Sequence, residues 1–397
     1  MKALSHLRLL DLTHVLSGPY AGMLLADLGM DTIKVEPPGK GEATRTLQAT
    51  DPSISLHGMG AYFLTSNRNK KSITLDLKHE KGLAIFYELV KVSDVVLSNF
   101  SAGVTDRLGI GYAQLSAINP WIITCSITGF GETGPGRHRP AFDMVAQAMG
   151  GNMSITGQPG GPPTRSGIPI GDLGGGMMGV IGILAAIAAR EQTGRGQHVD
   201  ISMLDTQISL LNYHATMYLL SGRIPETLGN AHITHIPYDT YPCQDGYIIV
   251  AIITDNFWVS LTEILNAPDL NTEENQFQPG RKKNRDWITR RLSEIFRTQP
   301  QAYWLEKLTA ARIPCAPIYN LAQALTDEQV LHRKMIVEIE HSQGGTFKAP
   351  GNPIKLSEHQ DSYASPPRLG EHTEQVLGEL LGMRGEEIEA LRQDGAI

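Results

Sequence analysis

The chain has 397 residues, 41% of them hydrophobic and 19% charged, enough at roughly 100 to 200 residues per domain for two or three structural units with a sizeable buried core. Its 34 basic and 41 acidic residues leave a formal charge of −7, so no global positive field invites nucleic acid, and a phosphate-bearing ligand would have to be met locally by a few cations and helix N-termini. Cys125, Cys243 and Cys315 lie far apart without CxxC spacing, which argues against a disulfide framework or structural zinc and fits reduced thiols in the cytoplasm.

The first twelve residues mix basic and apolar side chains and enter a strand pattern without a small-residue cleavage site, unlike a signal peptide. Strands are expected over 7–12, 32–36, 72–76, 94–98 and 121–126, with helices over 21–28, 79–92 and 112–118 between them. Repeated βαβ order predicts an α/β domain built on a mostly parallel sheet. A Gly/Pro-rich stretch over 129–140 follows, then a helix from 142, a polar loop to 171, an apolar helix over 173–189 and a strand over 198–203. The apolar helix is close to the lower length limit for a membrane span. Four glycines crowd its first half and Asp172 and Arg190 bracket it, so a buried core helix is expected and no membrane. A long helix over 204–222 leads to a change of style, a hairpin of 238–242 and 247–252 turning at Gln244-Asp245-Gly246, which marks a smaller domain. Helices near 284–297 and 301–311 continue it, and two amphipathic helices over 371–381 and 386–392 occupy the tail.

The first βα junction, Asp11 to Pro19, lies where α/β folds bind nucleotides but lacks GxGxxG. A dinucleotide dehydrogenase loses its support there, while a nucleotide-like ligand and an ordinary turn both stay open. Arg68, Lys70 and Lys71, with Lys78 beyond, read by default as surface charge, and Arg281-Lys282-Lys283 with Arg285, Arg290 and Arg291 as a solvated face. His232 and His235 have HxxH spacing but no acidic or Cys partners, so no metal site is expected. Neither a GxSxG elbow nor a P-loop is present.

The segment Gly171-Asp172-Leu173-Gly174-Gly175-Gly176 carries the most information. A carboxylate alone among apolar residues is costly unless hydrogen-bonded or used. Asp172 suits a helix N-cap, and the helix dipole would favour its ionised, nucleophilic form. Neighbouring glycines would admit a substrate closely and offer N–H groups to a developing oxyanion.

Asp11-Leu12-Thr13-His14 to Gly18-Pro19, Ile33-Lys34-Val35-Glu36, Asn67 to Ser72, Asn99-Phe100, Asp106-Arg107-Leu108-Gly109 and Gly171-Asp172 occur in an order that resembles class III CoA-transferases, the group containing formyl-CoA and carnitine CoA-transferases. The resemblance runs essentially the whole length. It implies a Rossmann-like large domain over 1–203, a linker helix over 204–224, a small α+β domain over 225–325 and a return segment over 326–397 completing the large domain. It also implies an interlocked homodimer acting on acyl-CoA and carboxylic acids with no cofactor beyond CoA. The catalytic aspartate falls on Asp172, and the CoA contacts on His14, Val15, Ser17, Leu75, Lys78, Asn99, Phe100 and Arg107. Two departures are noted: an arginine that some members place beside adenine is Pro37, and a protective glycine loop is replaced by residues 251–255. Asn67 to Ser72 and Cys125 to Gly131 resemble members using succinyl-CoA with dicarboxylic acids such as glutarate, itaconate or mesaconate. A second carboxylate would need a cation, for which Arg45, Arg165, His232 and His235 are the candidates. The related racemases pair the aspartate with a histidine at the position of Phe142, which carries no proton. A CoA-binding protein without catalysis is the remaining alternative.

Overall fold

Five of the first six long strands are mostly buried, while the sixth, over 198–202 at the sheet edge, is partly exposed, the pattern of a parallel sheet covered by helices on both faces. The computed structural model describes residues 2–397 and divides into two compact units, one of the segment up to residue 152 with 165–223 and 332–397, the other of 153–164 and 224–331. In the first unit, β1 (Arg8–Asp11), α1 (Ser17–Asp27), β2 (Asp31–Glu36), α2 (Ala61–Ser66), β3 (Lys70–Thr74), α3 (Glu80–Lys91) and β4 (Val95–Ser98) follow one another. Next come α4 (Tyr112–Ile118), β5 (Ile123–Thr128), α5 (Asp143–Met149), α6 (Ile170–Thr193) and β6 (His198–Ser202). The strands lie in the order β3-β2-β1-β4-β5-β6, all parallel, with Leu10 beside Ile33 on one side and Val96 on the other. Strand order reverses between β1 and β4, which opens a crevice at their carboxyl ends.

One face of the sheet packs Leu10, Val35 and Ile73 against Phe86 and Leu89 of α3, and against Val376, Leu377, Ile388 and Leu391 from the return segment. The other packs Leu9, Val95 and Cys125 against Leu24 of α1 and Val180 and Ile183 of α6. By length and composition α6 could cross a membrane. It is drawn into the core instead, because its glycines let it meet neighbours closely: a Cβ on Gly176 would fall 2.6 Å from the Ser17 carbonyl oxygen, and one on Gly179 would fall 2.8 Å from Ile127 Cδ1.

Three expectations need correction. The helix over 204–222 is two helices, α7 (Met203–Leu211) and α8 (Tyr213–Ser221), broken at Asn212, whose φ of +47° no helix accommodates. The basic run at 68–71 is not surface charge. Arg68 is buried against Asp27 at 2.7 Å and Lys70 against Asp11 at 2.8 Å, with Lys71 half-buried on Asp31. Lastly, Arg281 is fully buried, bonded to Asp255 and to the carbonyls of Ile236, Asn275 and Gln276; of the rest of the basic group, Lys282, Lys283 and Arg290 are exposed.

The second unit is built on a three-stranded antiparallel sheet of β7 (Tyr238–Pro242), β8 (Tyr247–Ala251) and β9 (Cys315–Pro317), with β8 central. Tyr241, Ile248, Trp258, Leu292 and Phe296 form its core. Residues 251–255 are the end of β8 and the start of the next helix, with Asp255 fixed by Arg281. The return segment adds a hairpin, Ile336–Glu340 paired with Thr346–Pro350, before its two helices, Thr373–Leu381 and Gly385–Gln393.

Candidate active site

The loop from Leu12 to Leu16 leaves β1 at the crevice where strand order reverses, and its backbone is held by side chains from both sides of that crevice. Thr13 N–H donates to Asp11 Oδ1 at 2.9 Å and Lys34 Nζ donates to the Thr13 carbonyl at 2.7 Å. Asn99, just past β4, accepts from His14 N–H at 2.9 Å and donates to the His14 carbonyl at 2.7 Å. Val15 N–H reaches Glu42 at 3.3 Å. Below lie buried charges. Burial pushes the Asp11 carboxyl upward, but Lys70 and Lys34 together hold it below the usual carboxylate value. Burial also pulls Lys70 down to about 8 despite Asp11.

A cleft of about 330 Å³ opens over this loop, lined by His14, Val15, Ser17, Asn99 and Phe100 together with Asp172. A second, of about 380 Å³, is lined by Leu75, Lys78, Pro37 and Glu42 and shares His14 and Phe100 with the first. Their rings stand 5.6 Å apart, and burial pulls the His14 imidazole below its ordinary pKa. Each is of a size that holds part of an extended ligand. Arg107, the last residue of a short helix, is exposed and lines neither cleft. A third hollow of about 320 Å³, mostly apolar, is lined by Leu16, Gln48, Tyr62, Thr65, Pro169 and Leu173. Leu16 is common to it and the first cleft, and Pro169 and Leu173 flank Asp172 in sequence.

Asp172 is the third residue of α6, not its cap. Pro169 occupies the capping position and contributes no side-chain bond. The cap comes from α5, where Asp143 Oδ1 accepts the N–H groups of Gly171 at 2.8 Å and Asp172 at 3.3 Å. Asp143 is held in turn by Gln147 at 2.7 Å. Burial and the nearby Asp143 charge push the Asp172 carboxyl up to about 6, the reverse of the depression expected from the helix dipole. The expected oxyanion donors are also absent: Ile170 and Leu173 N–H are bonded to the Ile168 and Pro169 carbonyls, and Gly174 to Gly176 lie within the helical ladder. The glycines serve packing.

Two cations missed by the sequence reading, Arg137 and Arg139, line the first cleft with Asp172; the only signal was their position in the Gly/Pro-rich loop after β5. Arg45 is no carboxylate clamp. It is buried in a bidentate pair with Glu36 at 2.6 and 2.7 Å, bonded to the Pro367 carbonyl and stacked 4.0 Å over Phe63. Arg165 is exposed and lines none of the three hollows. His232 and His235 belong to the second unit, with rings 4.8 Å apart and His232 Nδ1 accepting from Thr234 and His235 N–H. No cluster of three or more His, Cys, Asp or Glu suited to a metal occurs among the described residues. Phe142, 71% exposed at the rim beside Asp172, has no proton to give, which leaves a two-base racemase without its second group.

The profile of CoA-transferase family III matches residues 4–373. The acetyl-CoA:oxalate CoA-transferase of Acetobacter aceti is 40% identical over 369 residues, 92% of either chain. The succinyl-CoA:glutarate CoA-transferase of Homo sapiens is 36% identical across 100% of this chain and 90% of its own length. Among solved structures, a CAIB/BAIF family protein from Brucella suis superposes with a TM-score of 0.84 at 37% identity, covering 95% of this chain and 99% of that one.

Proposed function

The chain belongs to CoA-transferase family III, and from that premise we propose that it passes CoA from an acyl-CoA, succinyl-CoA above all, to a dicarboxylic acid through covalent intermediates on Asp172. The observation that carries this reading is that Asp172 shares one cleft with the first βα loop, so a thioester bound along that loop meets a carboxylate directly. At neutral pH a carboxyl with a pKa of about 6 is ionised, yet more basic than an ordinary aspartate, which strengthens it as a nucleophile.

Asp172 attacks the donor thioester carbonyl and expels CoA thiolate, leaving a mixed anhydride. The thiolate then attacks the aspartyl carbonyl of that anhydride, releasing the donor acid and leaving an aspartyl-CoA thioester. The acceptor carboxylate attacks this thioester and expels CoA thiolate again. Attack of the thiolate on the acceptor's acyl carbonyl gives the new acyl-CoA and frees Asp172. Each step exchanges one acyl bond for another without net proton transfer, and each activated species must be kept from water.

In this reading the nucleotide end of CoA enters the cleft of Leu75 and Lys78, and Lys78, Arg137 and Arg139 meet its phosphates. CoA is the only cofactor-like group required. The acyl chain enters the hollow beside Leu16, where Gln48, Tyr62 and Thr65 supply neutral hydrogen bonds to a second carboxylate. The apolar residues Leu219 and Leu220 on α8 and Leu321 in the second unit are 80% exposed or more, which supports burial against a second copy, interlocked as in the family.

Mass spectrometry after mixing with succinyl-CoA, with hydroxylamine as trap, tests the reading. An adduct on Asp172 is expected; turnover by an Asp172→Asn enzyme at a near wild-type rate would refute it.

A further inference from the structure

Val15 has a φ of +66°, in the left-handed region that β-branched residues avoid. Such a conformation persists only where its surroundings over-determine it. Five consecutive backbone polar groups, from Thr13 N–H to Val15 N–H, are each bonded to a side chain: Asp11, Lys34, Asn99 twice and Glu42. Asn99 and Glu42 also line the clefts, so their removal would disturb ligand contacts directly. Lys34 differs. It is 0% exposed, borders none of the hollows described, and its ammonium lies 2.7 Å from the Thr13 carbonyl. Burying an ammonium is costly where a methionine would fill the same space. Its hydrogen bond fixes the peptide that sets the entry into the strained turn.

We propose that Lys34 is a positioning residue for acyl-CoA: by holding the Thr13 carbonyl it keeps Val15 left-handed and so shapes the loop that faces the cleft. This rests on the cleft being the acyl-CoA site. The competing explanation is that Lys34 only balances the buried carboxylates Asp11, Glu36 and Glu42, and it predicts a different outcome.

Titration calorimetry with CoA and steady-state kinetics with succinyl-CoA separate the two. Lys34→Met should weaken CoA binding about 10- to 100-fold, as expected for loss of one charged hydrogen bond, and raise KM for acyl-CoA far more than it lowers kcat. Glycine takes positive φ freely, so adding Val15→Gly to the Lys34→Met enzyme should recover CoA affinity at least threefold. No recovery of affinity on adding Val15→Gly, or unchanged CoA affinity in Lys34→Met, overturns the proposal. If Lys34→Met does not fold by circular dichroism, Lys34→Gln carries the same rescue comparison. Failure of the wild-type enzyme itself to bind CoA would strike the functional reading instead.

Discussion

Asp143 caps the helix that carries Asp172 and at the same time opposes ionisation of Asp172. Its Oδ1 accepts the Gly171 and Asp172 N–H groups, while its charge adds to burial in pushing the Asp172 carboxyl up to about 6. One side chain therefore fixes where the Asp172 carboxyl stands and how basic it is.

The rate should follow that ionisation. With the carboxylate as attacking form, kcat/KM falls as pH drops through about 6. In Asp143→Asn the amide oxygen still accepts the helix N–H groups but the charge is gone, so the acid limb moves to lower pH. A pH profile of single-turnover rates checks this, and an unmoved limb would show that Asp143 does not act through charge.

Stability should move the opposite way. A carboxyl whose folded pKa lies above its unfolded value destabilises the fold when ionised, fully above about 6 and not at all below about 4. Asp172→Asn should thus raise stability at pH 8 by on the order of 1–2 kcal/mol, the full shift being reduced by partial exposure. At pH 4 the gain disappears. Urea midpoints at the two pH values measure the difference.

Arg68 and Asp27 form a buried pair at 2.7 Å, so removing one partner strands the other. Arg68→Met should cost about 3–5 kcal/mol in urea unfolding, and a second change, Asp27→Leu, should recover part of it.

Gly176→Ala would place a methyl carbon 2.6 Å from the Ser17 carbonyl oxygen. Backbone cannot swing aside as a flexible side chain can, and a loss of about 1–3 kcal/mol is expected. Gly167→Ala meets nothing within 4 Å and should stay within about 0.5 kcal/mol. Thermal unfolding of the pair is the comparison.

Tyr62→Phe removes a hydroxyl from the hollow beside Leu16. KM for a dicarboxylic acceptor should rise roughly 10- to 100-fold, the value of one hydrogen bond to a charged group, with little change for a monocarboxylic acid of similar length. Equal effects on both would place the second carboxylate elsewhere.

The parallel sheet was legible because its strands are short apolar runs separated by helical patterns, and Asp172 because a carboxylate beside three glycines is conspicuous. What escaped depends on partners distant in sequence. Arg68, Lys70 and Arg281 look like solvent-facing charge until Asp27, Asp11 and Asp255 are brought beside them. Asp143 caps a helix that starts at Ile170 across a long loop, and no local capping signal records it. The break at Asn212 was hinted at only by the residue type, since Asn tolerates positive φ better than most.

Val376, Leu377, Ile388 and Leu391 complete one face of the sheet begun by Leu10. During synthesis at about 5–20 residues per second, strands made first must wait for these last helices with their apolar face open to the cell. Nascent chains stalled before residue 373 should therefore be held by chaperones and cut readily by protease, while the second unit, complete by residue 331, is already protected.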